Sequence, residues 1–402
     1  MSGQAEEIRE AVRRFAREQL VPHAARWDRE KAFPREALQG LAGLGLYGVA
    51  VPEQWGGAGL GYGALAIACE EIAAGDCATC TIVMVNNLVA GILAGYGNDA
   101  QKNLHLRKLC SGEALGAFAL TEPHAGSDAS AITTRAEKQG SHYVLNGVKQ
   151  FITSGRTADV AVVFAVTDKA AGKKGISAFL VPTKTTGYVV ARIEEKTGQR
   201  ASDTAQIVLE NCKVPADHLL AQEGAGYRIA LANLESGRIN VAAQATGVAR
   251  AALEAALAYA GERKSMGKAL REHQAVSFRL ADMATQVEAA RQLYLHAARL
   301  RDAGAQEHGQ DPDRAPGGEL PPRRHGDAGR GRAPALPARG AAARRRPAVP
   351  QGSIDGEAVR LRDGREGVLG RDPGPRRLRL RGGFPRRADL ARRARYADLR
   401  RR

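Results

Sequence analysis

The spacing of apolar residues divides the chain into a helical stretch, a strand-rich stretch and a second helical stretch. Within 6–20, Ile8, Val12, Phe15 and Leu20 fall at helical intervals, and Pro22 is expected to stop that helix. A second helix is expected from Phe33-Pro34 through Leu38, Leu41 and Leu44. Two more follow over 64–74 and 81–96, the latter ended by Gly97. From Ala114 the period falls to two. Short strands are expected at 143–145, 150–152, 160–166, 176–181, 188–193 and 206–209, with Asn146-Gly147 as a hairpin turn between the first two. Helical spacing returns over 227–234, 239–260 and 274–301. The pattern predicts an α+β multi-domain chain. Its parts are an N-terminal helical domain (1–113), a middle β-barrel-like domain (114–222), an incomplete C-terminal helical bundle (223–304) and a disordered or poorly ordered tail (305–402).

The tail changes how the charge is read. The net charge is +16, but 25 arginines and 12 acidic residues lie after Gly304, so 13 of those charges belong to the tail. The body is near neutral, which argues against a nucleic-acid-binding fold. The same tail holds 11 of the 17 prolines, and Phe384 and Tyr396 are its only aromatics. Such a composition buries too little apolar surface to offset ordering entropy. Arg, Ala, Gly and Pro are also the residues that GC-only codons specify, as in a GC-rich gene read out of frame. Back-translated and shifted by one base, 306–310 reads Arg-Ser-Met-Gly-Lys, a near copy of Lys264-Ser265-Met266-Gly267-Lys268. By the same operation 325–331 yields the run 283–288, so a duplication with a frameshift is expected.

Composition narrows the remaining classes. Five cysteines without a framework-like array, and no N-terminal apolar segment, point to a cytoplasmic protein without disulfides. Cys77 and Cys80 have redox spacing but sit in an Ala-rich helical stretch, where buried packing is expected and no metal site is assigned. No apolar run is expected to span a membrane. The Gly-rich loop 52–63 lacks the Gly-x-Gly-x-x-Gly spacing, so a dinucleotide fold is rejected.

One stretch carries candidate chemistry: Phe118-Ala119-Leu120-Thr121-Glu122-Pro123-His124-Ala125-Gly126-Ser127-Asp128. An apolar run ends there in a polar turn. Pro123 fixes one φ, Gly126 can take a positive one, and Thr121, Ser127 and Asp128 stand beside exposed backbone N–H groups. Read from the residues alone, it is either an ordinary turn after a strand or a cradle for a phosphate or a flat heterocycle.

The string resembles the flavin-binding signature of the acyl-CoA dehydrogenases, Leu-Thr-Glu-Pro-x-Ala-Gly-Ser-Asp, with His124 at the variable position. The resemblance runs from Glu6 to Gly304 and implies FAD, an acyl-CoA substrate, an electron-transfer flavoprotein as partner and a homo-oligomer, tetrameric in the family. Loss of the last helices is expected to reduce that oligomer. By the same resemblance Phe118, Leu120, Thr121 and Ser127 contact the flavin, with Ser127 also facing the CoA side. Phe151-Ile152-Thr153 matches the second flavin strand, and Arg263, Ser265 and Gln274 match the segment that reaches a neighbouring subunit's FAD. Met266 stands where the family usually has Phe. Glu235 and Arg238, three apart on one helix, match a carboxylate–arginine pair that holds the acyl-CoA.

The family's catalytic base has no counterpart. One family position for the glutamate is Gly237 here, and the other exists only in the shifted frame across Arg400-Arg401. The implied reaction removes an α-proton while a β-hydride goes to the flavin, so this chain is expected to be an impaired dehydrogenase. A non-catalytic flavin or acyl-CoA binder is the second expectation, and an acyl-CoA oxidase or nitroalkane-oxidase-like activity the third.

Overall fold

The computed structural model describes residues 3–307, and its side chains from 5 to 304. The N-terminal part is helical: α1 (Gly3–Phe15), α2 (Val21–Glu30), α3 (Arg35–Gly43), α4 (Gly61–Gly75), α5 (Cys77–Tyr96), α6 (Asp99–Gln101) and α7 (Arg107–Ser111). Pro22 does not end the first helix as expected. A π-helical turn, Ala16–Leu20, joins α1 to α2, and the Val21 N–H reaches back to the Ala16 carbonyl. Pro22 thereby falls in the first turn of α2, where its missing N–H costs no intrahelical bond.

Seven strands build the middle domain: β1 (Gly116–Ala119), β2 (Arg135–Gln139), β3 (His142–Thr153), β4 (Val160–Val166), β5 (Ile176–Pro182), β6 (Tyr188–Ile193) and β7 (Thr204–Pro215). They form one curled sheet in the order β1-β4-β2-β3-β7-β6, with β5 also paired to β4. The expected hairpin at Asn146-Gly147 is instead a bulge inside β3, where the register against β7 slips between Leu145 and Gly147. Asn146 uses its side chain to accept the Asn211 N–H at 2.9 Å, and Gly147 has φ +154. A Cβ on Gly147 would stand 2.4 Å from the Thr134 hydroxyl, so close strand approach rather than a turn explains this glycine.

The three later helical segments predicted from spacing are two. Helix α8 (Gly226–Glu262) runs unbroken through Glu235-Ser236-Gly237-Arg238, and α9 (Gln274–Glu307) returns beside it. A small hairpin, β8 (Lys264–Ser265) and β9 (Lys268–Ala269), joins them. Helix α9 enters the predicted tail by three residues; the rest of that tail lies outside the described residues.

Helix α5 corrects the membrane expectation in part. It is 20 residues long and apolar enough, by length and composition, to cross a membrane, although 67% of its most apolar window is buried in the fold. Its Val89, Ile92 and Leu93 belong to the same buried apolar cluster as Val160, Val162 and Phe164 of β4. Cys80 is buried with its thiol on the Cys69 carbonyl at 3.3 Å, and burial pushes the Cys77 thiol up to about 11. All five cysteines are free.

Charge also lies inside the helical layers. Glu70 and Glu71 of α4 are fully buried. Arg250 of α8 reaches both, at 3.1 Å to Glu70 and 2.6 Å to Glu71. Arg13 of α1 holds Glu71 through two bonds of 2.9 and 3.0 Å, while Arg291 of α9 holds Glu70 at 2.8 Å beside the Tyr294 hydroxyl. The α4–α8 contact is close because α8 has Gly247 there; a Cβ would lie 2.1 Å from the Glu70 carbonyl oxygen. At the other end of the layer, Asp302 of α9 accepts the Tyr62 and Gly63 N–H groups at 2.7 and 3.0 Å, capping the start of α4.

Candidate functional site

Strand β1 delivers the chain to the polar turn. Glu122 and Ala125 exchange backbone hydrogen bonds of 3.0 and 3.1 Å, which leaves Pro123 and His124 exposed at the tip. The Glu122 side chain points inward and is 3% exposed. It accepts the Thr133 and Thr134 N–H groups at 2.7 and 2.9 Å, and the Lys149 ammonium at 2.8 Å. Lys149, wholly buried in β3, also donates to the Leu120 carbonyl at 3.1 Å. Burial alone would raise the Glu122 carboxyl, but the Lys149 charge and these donors hold it down at about 2. Burial pushes the Lys149 ammonium down, with Glu122 opposing that fall across their 2.8 Å contact.

The turn and β3 are therefore tied side by side, and the Gln150 N–H to Thr121 carbonyl bond of 2.8 Å completes the seam. Directly after it the β3 register slips again, between Lys149 and Ile152. Phe151 sits in this slip with φ +60, and its ring is turned out of the sheet at 62% exposure. A left-handed, non-glycine residue costs on the order of 1–3 kcal/mol and persists only where its surroundings enforce it. Here the enforcing neighbours are Gln150, held by Gln206 at 2.6 Å and by Glu194, and Ile152, which is 1% exposed.

The remaining residues fall into two groups. Phe118 is half-buried with its ring 5.0 Å from that of Phe164, and Leu120 and Ile152 are buried beneath the surface. Thr121 and Thr153 are half-buried and Ser127 is exposed; their hydroxyls make no hydrogen bond among the described residues. An exposed aromatic face held by strain, beside hydroxyls without partners, fits a flat, polar-edged group such as an isoalloxazine. Two details differ from expectation. Asp128 turns back to accept the Ser130 N–H at 3.0 Å, so its carboxylate belongs to the loop. Gly126 has no left-handed backbone, and a Cβ there would meet nothing within 4 Å.

Glu235 and Arg238 do not pair. Glu235 binds Arg301 of α9 at 3.2 Å, and Arg301 lies 5.4 Å from the Tyr62 ring centre. Arg238 is exposed and makes no hydrogen bond or ion pair among the described residues. Arg263, Ser265, Met266 and Gln274 are all exposed around the β8–β9 hairpin, Met266 at 93%. The hairpin is fastened to the start of α9 by His273, whose Nε2 lies 3.0 Å from the Ser265 carbonyl. Among the described residues, no hydrogen bond or ion pair joins this segment to the turn. The residues that sequence reading passed over are Glu122, Lys149 and Arg301. β3 mixes polar with apolar residues, so its string carries no signal that singles out Lys149 as the buried partner of Glu122.

Comparison with known proteins accounts for this arrangement. Family profiles for the acyl-CoA dehydrogenase N-terminal, middle and C-terminal domains match residues 2–113, 117–212 and 224–315. The human mitochondrial short-chain specific acyl-CoA dehydrogenase is 45% identical over 294 residues, 73% of this chain and 71% of that one. Butyryl-CoA dehydrogenase from Megasphaera elsdenii superposes with a TM-score of 0.74 at 38% identity, covering 76% of this chain and 81% of that one. A chain from a structure of the electron transferring flavoprotein of Acidaminococcus fermentans gives 0.74 at 40% identity, covering 76% and 80%. A glutaryl-CoA dehydrogenase from Mycobacterium smegmatis in complex with FADH2 gives 0.72 at 35%, covering 76% and 77%. With three matched domains and this level of identity over most of its length, the chain belongs to the acyl-CoA dehydrogenase family.

Proposed function

We propose that this chain binds FAD and a short-chain acyl-CoA in the manner of an α,β-dehydrogenase, and that it turns over slowly or not at all. The observation that carries the binding half is the seam between the Thr121 turn and the strained Phe151 strand. FAD, when bound, supplies the acceptor for the β-hydride. The chain's own residues would do the rest: Phe151 would offer a face, Thr121 and Thr153 hydroxyls for the heterocycle's polar edge, and Ser127 a hydroxyl on the side of the thioester. Arg263 provides a forked donor for the pyrophosphate of a cofactor in a second copy. The likeness to a short-chain specific acyl-CoA dehydrogenase and to a butyryl-CoA dehydrogenase supports a short acyl-CoA, and the likeness to a chain from an electron transferring flavoprotein structure supports such a flavoprotein as partner.

The weak half is proton removal. Glu122 is locked to Lys149, Glu235 to Arg301, and Gly237 has no side chain to act as base. The frameshifted reading of the tail accounts for the missing glutamate, and sequencing the locus tests it. The function itself is tested by titrating the purified chain with FAD and then with butyryl-CoA under a dye acceptor. A shifted flavin spectrum with substrate-induced perturbation but little dye reduction is expected. Absence of any flavin uptake overturns the binding reading; steady turnover overturns the missing base.

A further inference from the structure

We infer that the buried Glu122–Lys149 pair is a positioning device, which sets the spacing between the Thr121 turn and the Phe151 strand and so decides how firmly a flat heterocycle is gripped. The inference rests on the FAD-binding reading above. Its physical basis is that one carboxylate ties three segments together: the turn, residues 133–134, and β3. Lys149 adds a fourth tie by donating to Leu120, the last residue before the turn opens. Phe151 lies two residues beyond Lys149, and the only residue between them carries the Gln150–Thr121 backbone bond. A left-handed phenylalanine at 62% exposure gains little from packing of its own ring, so its conformation depends on these ties.

A buried ion pair can instead be mere structure, and the two roles part on substitution. Removing one partner strands a buried charge and weakens the whole fold, whereas neutralising both is often tolerated. The neutral pair carries no buried charge; its single amide oxygen accepts from only one of the Thr133 and Thr134 N–H groups, which use different Glu122 oxygens, and the charge-assisted bonds that draw β3 to the turn are lost. The informative variant is therefore Glu122→Gln with Lys149→Met, compared with Lys149→Met alone.

Two measurements are made on the full chain: FAD affinity by flavin fluorescence, and amide hydrogen exchange of the cofactor-free protein. The double variant is expected to melt near the parent temperature yet bind FAD at least ten-fold more weakly. Its peptides covering 118–134 and 149–153 are expected to exchange faster together, with those from α8 unchanged. Parent-like FAD affinity, or parent-like exchange in both peptides, overturns the inference. If the parent chain takes up no FAD, the functional reading falls, while the exchange experiment still decides whether the pair positions turn and strand.

Discussion

Removing Arg250 tests whether the helical halves are held together by charge as well as by apolar packing. In Arg250→Met, Glu70 keeps Arg291 and Tyr294, and Glu71 keeps Arg13, so each carboxylate loses one of several partners. Breaking a buried ion pair from one side costs about 3–5 kcal/mol, and the retained partners place this case near 3 kcal/mol. For roughly 300 folded residues at about 2.1 cal/mol/K each, about 1 kcal/mol corresponds to roughly 1.5 °C in Tm, so a fall of about 5 °C is expected by calorimetry at neutral pH. The Glu70 carboxyl would be raised by burial, but Arg291 and Tyr294 hold it below the ordinary carboxylate value. Its contribution is therefore present above the unfolded carboxylate pKa and fades as pH falls below it. Glu70→Gln and the double variant complete a cycle, in which a coupling of at least about 1 kcal/mol is expected. A Tm change under about 2 °C, or a coupling near zero, would refute the idea that α4, α8 and α9 are clasped by these charges.

Other outcomes follow from single features. Gly237→Glu puts a carboxylate where some family members carry the base, and a Cβ there meets nothing within 4 Å; dye reduction with butyryl-CoA should rise by about 10²-fold, and a variant that folds and binds FAD without any rise sinks the missing-base account. Glu122 is held well below the ordinary carboxylate value by Lys149 and its hydrogen-bond donors, so its contribution to stability is present above the unfolded carboxylate pKa and is lost as pH falls below it. Urea midpoints at pH 6 and pH 3 should show that loss in the parent and much less of it in Glu122→Gln. Gly147→Ala forces a Cβ to within 2.4 Å of the Thr134 hydroxyl and 2.7 Å of its Cα; a cost of about 1–3 kcal/mol should lower the urea midpoint with little change in slope.

How far the fold could be read depended on whether the local signal was also the deciding one. Helices α4 and α5 and strands β4 and β5 follow from apolar spacing because burial on their own faces determines them. Pro22 and Asn146-Gly147 misled because their local preference has two outlets. A proline both stops a helix and suits its first turn, and an Asn-Gly pair makes a hairpin or accommodates a bulge pressed against Thr134. The site divided the same way. The turn from Leu120 to Asp128 was legible through its resemblance, whereas the partners of Glu122 and Glu235 come from β3 and α9 and leave no trace in the local string. A spacing of three on one helix suggested Glu235 with Arg238, but Arg301 from the neighbouring helix takes the carboxylate instead.

The distance along the chain between the buried carboxylates and their arginines has a consequence for biosynthesis. Arg250 follows Glu71 by 179 positions and Arg291 follows Glu70 by 221. At about 5–20 residues per second, a ribosome takes on the order of 10–40 s to supply those partners. During that interval α4 emerges as an apolar helix carrying two carboxylates without their distant arginines, while the whole sheet domain is made. The helices made before and after the sheet thus meet late, through long-range ion pairs as well as apolar packing.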